Sequence, residues 1–183
     1  MKIRKLTTNR VPPTRLRRLA LAVFVLSAGF GRAQDTHGML LRAELVPFSQ
    51  VPSVLAKSSG SFNAEAQSDG TIQYSLFYAN MSSPVSQAHI HFGANNTNGG
   101  VMLFLCGGGS KPACPASGSV TGTITAADVS VLPSTNGDSV IPQGIQPGDL
   151  AGMMSAIQAG KTYVNVHTNT FPNGEIRGQV QVR

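Results

Sequence analysis

The sequence lacks the short motifs that mark the common catalytic centres. It has no Gly-x-Ser-x-Gly elbow, no His-Glu-x-x-His helix, no Cys-x-x-Cys pair and no phosphate-binding glycine loop. Long heptads and internal repeats are also absent. No catalytic residue is therefore assigned from a motif, and an enzymatic activity is not expected on this ground.

Cysteine is scarce, and the two cysteines stand close together. Cys106 and Cys114 enclose Gly107–Ala113, a loop of glycine, serine, lysine, proline and alanine. In an oxidising compartment such a pair forms a disulfide. The alternative, a soft metal site, would need further ligands of the same kind, and the loop offers none. The sequence therefore predicts a disulfide between Cys106 and Cys114.

Long apolar runs are missing too, apart from one segment near the N-terminus. Leu19–Phe30 follows seven basic residues and is shorter than the ~20 apolar residues that a membrane span needs. With small residues at Gly31 and Ala33, this arrangement is typical of a secretory signal peptide. We expect residues 1–33 to be that peptide, cleaved after Ala33, and residues 34–183 to form one domain. The alternative is an uncleaved tether or an amphipathic anchor.

Basic charge is concentrated in that N-terminal segment. The chain carries a formal charge of +6, but beyond residue 33 six basic and eight acidic residues leave −2. A slightly acidic domain lacks the excess positive charge that binds the phosphates of nucleic acid, so no nucleic-acid partner is expected. The expected location is secreted or periplasmic, with membrane contact only through the signal peptide before cleavage.

The rest of the chain is a series of short strands separated by turn signals. Apolar alternation predicts about eight strands. They are His37–Val46, Gly60–Ala66, Thr71–Ala79, Gln87–Phe92, Gly100–Cys106, Ser119–Ile124 and the two halves of Lys161–Val182. This pattern predicts an all-β fold, an antiparallel Greek-key sandwich or barrel, superoxide-dismutase-like or immunoglobulin-like in outline, with one short helix.

The helix is predicted over Asp149–Ala159. Its apolar residues have the spacing of one helical face, and Gly160 follows as a stop signal. They are Leu150, Met153, Met154 and Ile157. The methionine pair is interpreted as core filling rather than as a soft metal site. Leu132–Pro147 is rich in proline, glycine, serine and asparagine and predicts an extended surface loop.

Three of the four histidines fall on predicted strands, opposite the apolar positions. His89 and His91 alternate with Ala88, Ile90 and Phe92. The hairpin Lys161–Val182, reversed at Phe171–Gly174, gives a second polar face. That face holds Tyr163, Asn165, His167, Glu175 and Arg177, while the opposite face holds Val164, Val166, Ile176, Gly178, Val180 and Val182. The apolar face is expected in the core and the histidines on the outer face of a sheet.

These segments resemble the CHRD domain family, the module named after chordin and also found in many secreted bacterial proteins. The resemblance covers roughly Met39–Val182 and rests on three blocks. They are Ala88–Gly93 followed by Asn98–Val101, then Gly160–Thr168, and Phe171–Val180. The family commonly has Glu-Val-Pro-Pro after its first strand, where this chain has Gln50-Val51-Pro52-Ser53. The resemblance implies a secreted β-sandwich module without an agreed enzymatic activity, which in chordin belongs to a growth-factor antagonist.

Two hypotheses of function follow, and the sequence favours the first. A binding or structural module would use the polar face as a hydrogen-bonded network beneath loops, with an extracellular or envelope protein or polymer as its partner. A metal-binding protein, possibly redox-active, would use His89, His91 and His167 as ligands for copper or zinc, with Glu175 orienting one ring. The His-x-His strand is also similar to the copper strand of copper,zinc superoxide dismutase, although this chain has too few histidines for both metals of that enzyme.

Overall fold

The computed structural model describes residues 36–116, 118–135 and 137–183. The strands in this part of the chain are β1 (Leu40–Leu45), β2 (Ser59–Ala66), β3 (Ile72–Ala79), β4 (Val85–Phe92), β5 (Gly100–Cys106), β6 (Ser119–Ile124), β7 (Thr162–Thr168), β8 (Ile176–Gln179) and β9 (Gln181–Val182). One α-helix, α1 (Leu150–Gln158), precedes β7, and three short 3-10 helices span Pro47–Ser49, Ala126–Asp128 and Ile141–Gln143. The predicted signal peptide and its cleavage site lie outside the described residues.

The strands form two antiparallel sheets that pack as a sandwich. One sheet has the order β6-β3-β2-β1-β9 and the other the order β5-β4-β7-β8. Strand β6 pairs with β3, although β4 and β5, which lie between them in the sequence, pair in the other sheet. This is a Greek-key connection. The predicted all-β antiparallel sandwich with one helix is therefore confirmed, and the two sheets do not close into a barrel.

The core lies between the two sheets, as the alternation of side chains requires. Leu41, Leu76 and their neighbours supply it from the five-stranded sheet, and Ile90 and Val164 from the four-stranded sheet. Helix α1 adds both methionines and Ile157, which confirms that the methionine pair fills the core.

The four-stranded sheet differs from its partner because it is covered on both faces. Strands β1 and β3 alternate between exposed and buried residues, whereas every residue of β5 and β7 is buried. One face of β7 packs in the core, and loops cover the other. The histidines therefore lie on the predicted outer face of the sheet, away from the core, and the loops bury that face.

Part of that cover comes from the segment predicted to be an extended surface loop, Leu132–Pro147. It contains the 3-10 helix Ile141–Gln143, and Val140 and Ile145 are buried in the core. The Gln143 side chain accepts a hydrogen bond from the backbone of Gly100 at 2.6 Å and donates one to the carbonyl of Phe92 at 2.9 Å. The prediction was wrong for these residues because apolar side chains and an anchoring amide fold the segment back onto the ends of β4 and β5.

The last predicted strand is also interrupted. Val46 and Arg177 exchange backbone hydrogen bonds, so β8 is tied to the end of β1. After Gln179 the chain leaves the four-stranded sheet, and β9 pairs with β1 in the other one. Val180 is buried, but Val182 is 41% exposed, so its predicted core position is wrong.

The predicted disulfide is present. Cys106 at the end of β5 is bonded to Cys114, with 5.0 Å between their Cα atoms. No helix within the described residues is long and apolar enough to cross a membrane.

We expect the disulfide to contribute about 2.5 kcal/mol to stability, since it closes a short loop in the unfolded chain. The double variant Cys106→Ala/Cys114→Ala should lose this amount in urea unfolding, and reduced wild-type protein should match the variant. Alkylation of unreduced protein exported by a bacterial host, followed by mass analysis, should find no free thiol. Two alkylated cysteines in that material would contradict the assignment.

Candidate metal centre

Three histidines meet on the loop-covered face of the four-stranded sheet. His89 and His91 lie on β4 and His167 on the neighbouring β7, where Gln87 pairs with His167 and His89 with Asn165. The three residues are 4%, 8% and 8% exposed, respectively. They line a cavity of about 480 Å³ whose other walls include Phe104, Leu132 and Asp138. The sequence placed these histidines correctly opposite the core, and the structure brings all three together.

The rings are close enough for one nitrogen of each to share an ion. His89 Nδ1 and His91 Nε2 lie 3.2 Å apart, and one nitrogen from each of the three rings lies within 4.8 Å of the others. The His89 ring is 4.6 Å from the His167 ring between centroids, and Phe104 packs edge-on against it at 4.7 Å. Three imidazole nitrogens at this spacing form a candidate ligand set for copper or zinc.

The opposite nitrogen of each ring is held by a hydrogen-bond acceptor. His91 Nδ1 is 2.9 Å from the carbonyl of Gly99, and His167 Nδ1 is 2.9 Å from the carbonyl of Pro172. Since a carbonyl only accepts, both histidines carry their proton on Nδ1 and keep a lone pair on Nε2. His89 Nε2 is 2.9 Å from Gln87 Oε1, so in this orientation of the Gln87 amide the lone pair of His89 is on Nδ1. In this orientation all three lone pairs belong to the inward nitrogens.

One of these inward nitrogens has no partner within the described part of the chain. His167 Nε2 is buried and makes no hydrogen bond to any described residue. The inward nitrogens of His89 and His91 contact each other, but both bear lone pairs in the arrangement described above. A buried polar atom without a protein partner costs free energy, so a bound water or ion would be stabilising at this position.

Burial keeps the three rings neutral. Burial, followed by the neighbouring His167 and His91, lowers the pKa of His89 from 6.5 to about 2. Burial also lowers the pKa of His91 to about 4, although its bond to the Gly99 carbonyl acts in the opposite direction. The pKa of His167 is lowered by burial as well, against the Pro172 hydrogen bond and the nearby carboxylate of Asp138.

The predicted polar residues Tyr163 and Arg177 form a stack behind His91. The Tyr163 ring lies parallel to the His91 ring at 4.6 Å, with 3° between the planes. The guanidinium of Arg177 lies 3.4 Å from the centre of the Tyr163 ring on a cation–π contact. Arg177 is 2% exposed and donates hydrogen bonds to the carbonyls of Ala94 and Thr97. It thereby holds the loop that ends in Gly99, the residue that fixes the His91 tautomer.

Asn165 belongs to the same face and supports the other loop. Its Oδ1 accepts a hydrogen bond from Gln50 Nε2 at 2.6 Å. Both side chains press against Gly174, whose φ of +115° and lack of a Cβ allow this approach. Gly174 closes the turn that presents the Pro172 carbonyl to His167.

Glu175 does not belong to the cluster, although the sequence placed it there. Its carboxylate accepts hydrogen bonds from Ser82 and from Thr168 Oγ1, the latter at 2.7 Å. None of its described hydrogen bonds reaches a histidine. The prediction that Glu175 orients an imidazole was wrong because it precedes β8, where strand alternation no longer fixes the direction of the side chain.

The groups that do orient the rings were missed. Two of them are backbone carbonyls, of Gly99 and Pro172, which no side-chain pattern reveals. The third, Gln87, precedes His89 by two residues and therefore shares its face, so strand parity alone could have identified it. Gln50 and Phe104 lie on other elements and carry no comparable signal.

Comparison with known proteins identifies one family. The family model of the CHRD domain matches residues 41–180, which covers most of the chain. No curated protein and no solved structure shows a significant match.

The buried neutral histidines should make the metal-free protein sensitive to acid. In the unfolded chain these histidines bind protons below pH 6.5, whereas in the folded protein His91 does so only near pH 4 and His89 near pH 2. Below pH 6.5 the unfolded state therefore holds more protons and stability falls, by about 1.4 kcal/mol per pH unit for each such histidine.

Urea unfolding at pH 7.5, 6.0 and 5.0, with a chelator present, measures this loss. The double variant His89→Gln/His91→Gln should lose less stability over the same interval, because two of the titrating groups are gone. A slope equal to that of the wild type would contradict the assignment of the effect to these histidines.

Proposed function

We propose that this chain, which belongs to the CHRD domain family, is an exported module whose domain binds one copper or zinc ion. The proposed ligands are His89 Nδ1, His91 Nε2 and His167 Nε2. The observation that carries the proposal is the hydrogen-bonding of the outward nitrogens, each of which faces an acceptor. With their protons held there, all three rings offer lone pairs to the same space.

A purely structural role for the histidines fits this arrangement less well. A network that only holds loops in place would satisfy its buried nitrogens, since each orphan costs about 1–3 kcal/mol. Here His167 Nε2 has no hydrogen-bond partner among the described residues, and the inward nitrogens of His89 and His91 lie 3.2 Å apart. An ion between the rings would satisfy all three atoms. The acceptors behind the rings would then act as the outer partners that orient metal-bound histidines.

The donor set also bears on which metal would bind. Imidazole nitrogens suit copper and zinc, and the neutral rings do not have to lose a proton before they coordinate. Three protein ligands beside a cavity leave a coordination position for a further ligand, as in sites that bind or transform small molecules. A closed structural zinc site would use four protein ligands instead. We assign no reaction to the site and propose only metal binding.

Export is the second part of the proposal. The basic and apolar N-terminal segment supports a signal peptide, and the Cys106–Cys114 disulfide is a bond that persists in oxidising compartments. A secreted or periplasmic module would meet its metal and any protein or polymer partner outside the cytoplasm. The slightly negative charge beyond residue 33 does not favour nucleic acid.

We expect metal to stabilise the folded protein at one equivalent per chain. Untagged protein is stripped with a chelator and then mixed with copper or zinc, and its unfolding is followed by calorimetry and urea titration. A ligand that binds only the native state adds about 2.7 kcal/mol when it exceeds its dissociation constant a hundredfold. Elemental analysis after gel filtration gives the stoichiometry.

The double variant His89→Ala/His91→Ala should lose this stabilisation. His37→Ala is the matched control, because His37 is the fourth histidine of the chain and lies outside the cluster. It should retain the full effect. Metal binding that survives in the double variant, or no binding by the wild type, would refute the proposed site.

Export is tested by intact-mass measurement. When the full-length chain is expressed in a bacterium, the protein found outside the cytoplasm should have the mass of a chain that begins at Gln34. Signal peptidases require small residues such as Gly31 and Ala33 before the cleavage site. Replacing Ala33 with a bulky residue should leave the leader attached. A wild-type protein that keeps its first 33 residues would favour the tethered alternative.

A further inference from the structure

The three outward nitrogens differ in the kind of group that holds them. His91 and His167 face backbone carbonyls, which accept hydrogen bonds and never donate. His89 faces the side-chain amide of Gln87, which has an accepting oxygen at one end and a donating nitrogen at the other. The tautomers of His91 and His167 are therefore fixed by the backbone, whereas that of His89 depends on the orientation of one amide.

We propose that Gln87 is a positioning residue whose amide decides which nitrogen of His89 carries the proton, and hence whether His89 can serve as a metal ligand. This inference rests on the proposed function for its consequence, metal binding. Its immediate claim, the link between the Gln87 amide and the His89 tautomer, concerns the metal-free protein and is tested separately.

In the orientation described, which we call the open state, the inward nitrogens of all three histidines have lone pairs available to a metal. Gln87 Oε1 lies 2.9 Å from His89 Nε2 and accepts its proton, so the lone pair of His89 is on Nδ1. That lone pair faces the lone pair of His91 Nε2 across 3.2 Å. In the absence of an ion, the two acceptors oppose each other in a buried place, which is unfavourable.

In the other orientation of the amide, which we call the closed state, His89 and His91 form a hydrogen bond with each other. If the amide rotates by half a turn, its nitrogen donates to His89 Nε2, and the proton of His89 resides on Nδ1. His89 Nδ1 then donates to His91 Nε2, at a distance suited to a hydrogen bond. No proton is gained or lost by the protein, because one proton changes its position on the same ring. His89 has no lone pair left for a metal in this state.

The metal-free protein should therefore favour the closed state, and metal should select the open one. Only Gln87 allows this choice, since the carbonyls of Gly99 and Pro172 cannot become donors. Gln87 reaches His89 because the two residues are two positions apart on β4 and share the face of the cavity. An acceptor-only side chain at position 87 should hold the open state permanently and remove the cost of rotating the amide.

Three variants separate these states. Gln87→Glu presents only acceptor oxygens to His89, and Gln87→Met has a similar length but no hydrogen bond to offer. Gln73→Glu is the matched control, because it adds the same charge at an exposed position of β3 in the other sheet. The tautomer of each histidine is measured from the nitrogen chemical shifts of ¹⁵N-labelled rings in stripped protein and after addition of zinc. Zinc affinity is measured by competition with a chromophoric chelator.

We expect His89 of the metal-free wild type to carry its proton on Nδ1 and to shift it to Nε2 when zinc is added. In Gln87→Glu it should be on Nε2 from the start, with zinc affinity about tenfold higher. Gln87→Met should bind zinc about tenfold more weakly, within the range found when outer partners of metal-bound histidines are removed. Gln73→Glu should match the wild type in both measurements.

A His89 tautomer that is the same in metal-free wild type and Gln87→Glu would overturn the inference. Equal zinc affinities in the wild type and all three variants would overturn it as well. If the wild type binds no zinc but the Gln87→Glu tautomer shifts as expected, the proposed metal function fails and the control of His89 by Gln87 stands.

Discussion

The loop-covered face of the four-stranded sheet is held together by hydrogen bonds between its side chains and the loops. The four-stranded sheet buries imidazoles on the face away from the core, and buried ring nitrogens need partners. The loops supply them through the carbonyls of Gly99 and Pro172. The loops in turn depend on the sheet, because Arg177 on β8 binds the carbonyls of Ala94 and Thr97. The histidines and the loops that cover them therefore stabilise each other.

Strand alternation is strong enough in this chain to predict which side chains meet, but not what covers them. A period of two places His89, His91 and His167 on one face and Ile90, Val164 and Val166 on the other, and the structure agrees. The loops have no such period. Their contribution depends on single groups, such as the Gln143 amide that ties its segment to Gly100 and Phe92. A composition typical of a surface loop therefore concealed buried residues.

The same reasoning explains the errors at the C-terminal hairpin. Side chains alternate between the two faces only while a strand remains paired. The last part of the chain pairs regularly with β7 only from Ile176 to Gln179. Glu175 lies before that interval and contacts Ser82 and Thr168, while Val182 lies after it, on the other sheet. Arg177 falls inside the interval and is on the predicted face. The resemblance to the CHRD domain identified the blocks correctly but carried no information on where pairing stops.

The electrostatics of the site keep the three imidazoles neutral. Burial suppresses protonation of all three histidines, and the guanidinium of Arg177 behind His91 also disfavours an imidazolium. A proton and a metal ion compete for the same lone pairs, but only a metal ion can be coordinated by all three at once. Neutral imidazoles whose outward nitrogens already have hydrogen-bond partners are the arrangement that the proposed metal site would use. Converging lone pairs repel one another unless a proton or a cation lies between them, so the pair His89 and His91 needs either the hydrogen bond of the closed state or the proposed metal ion.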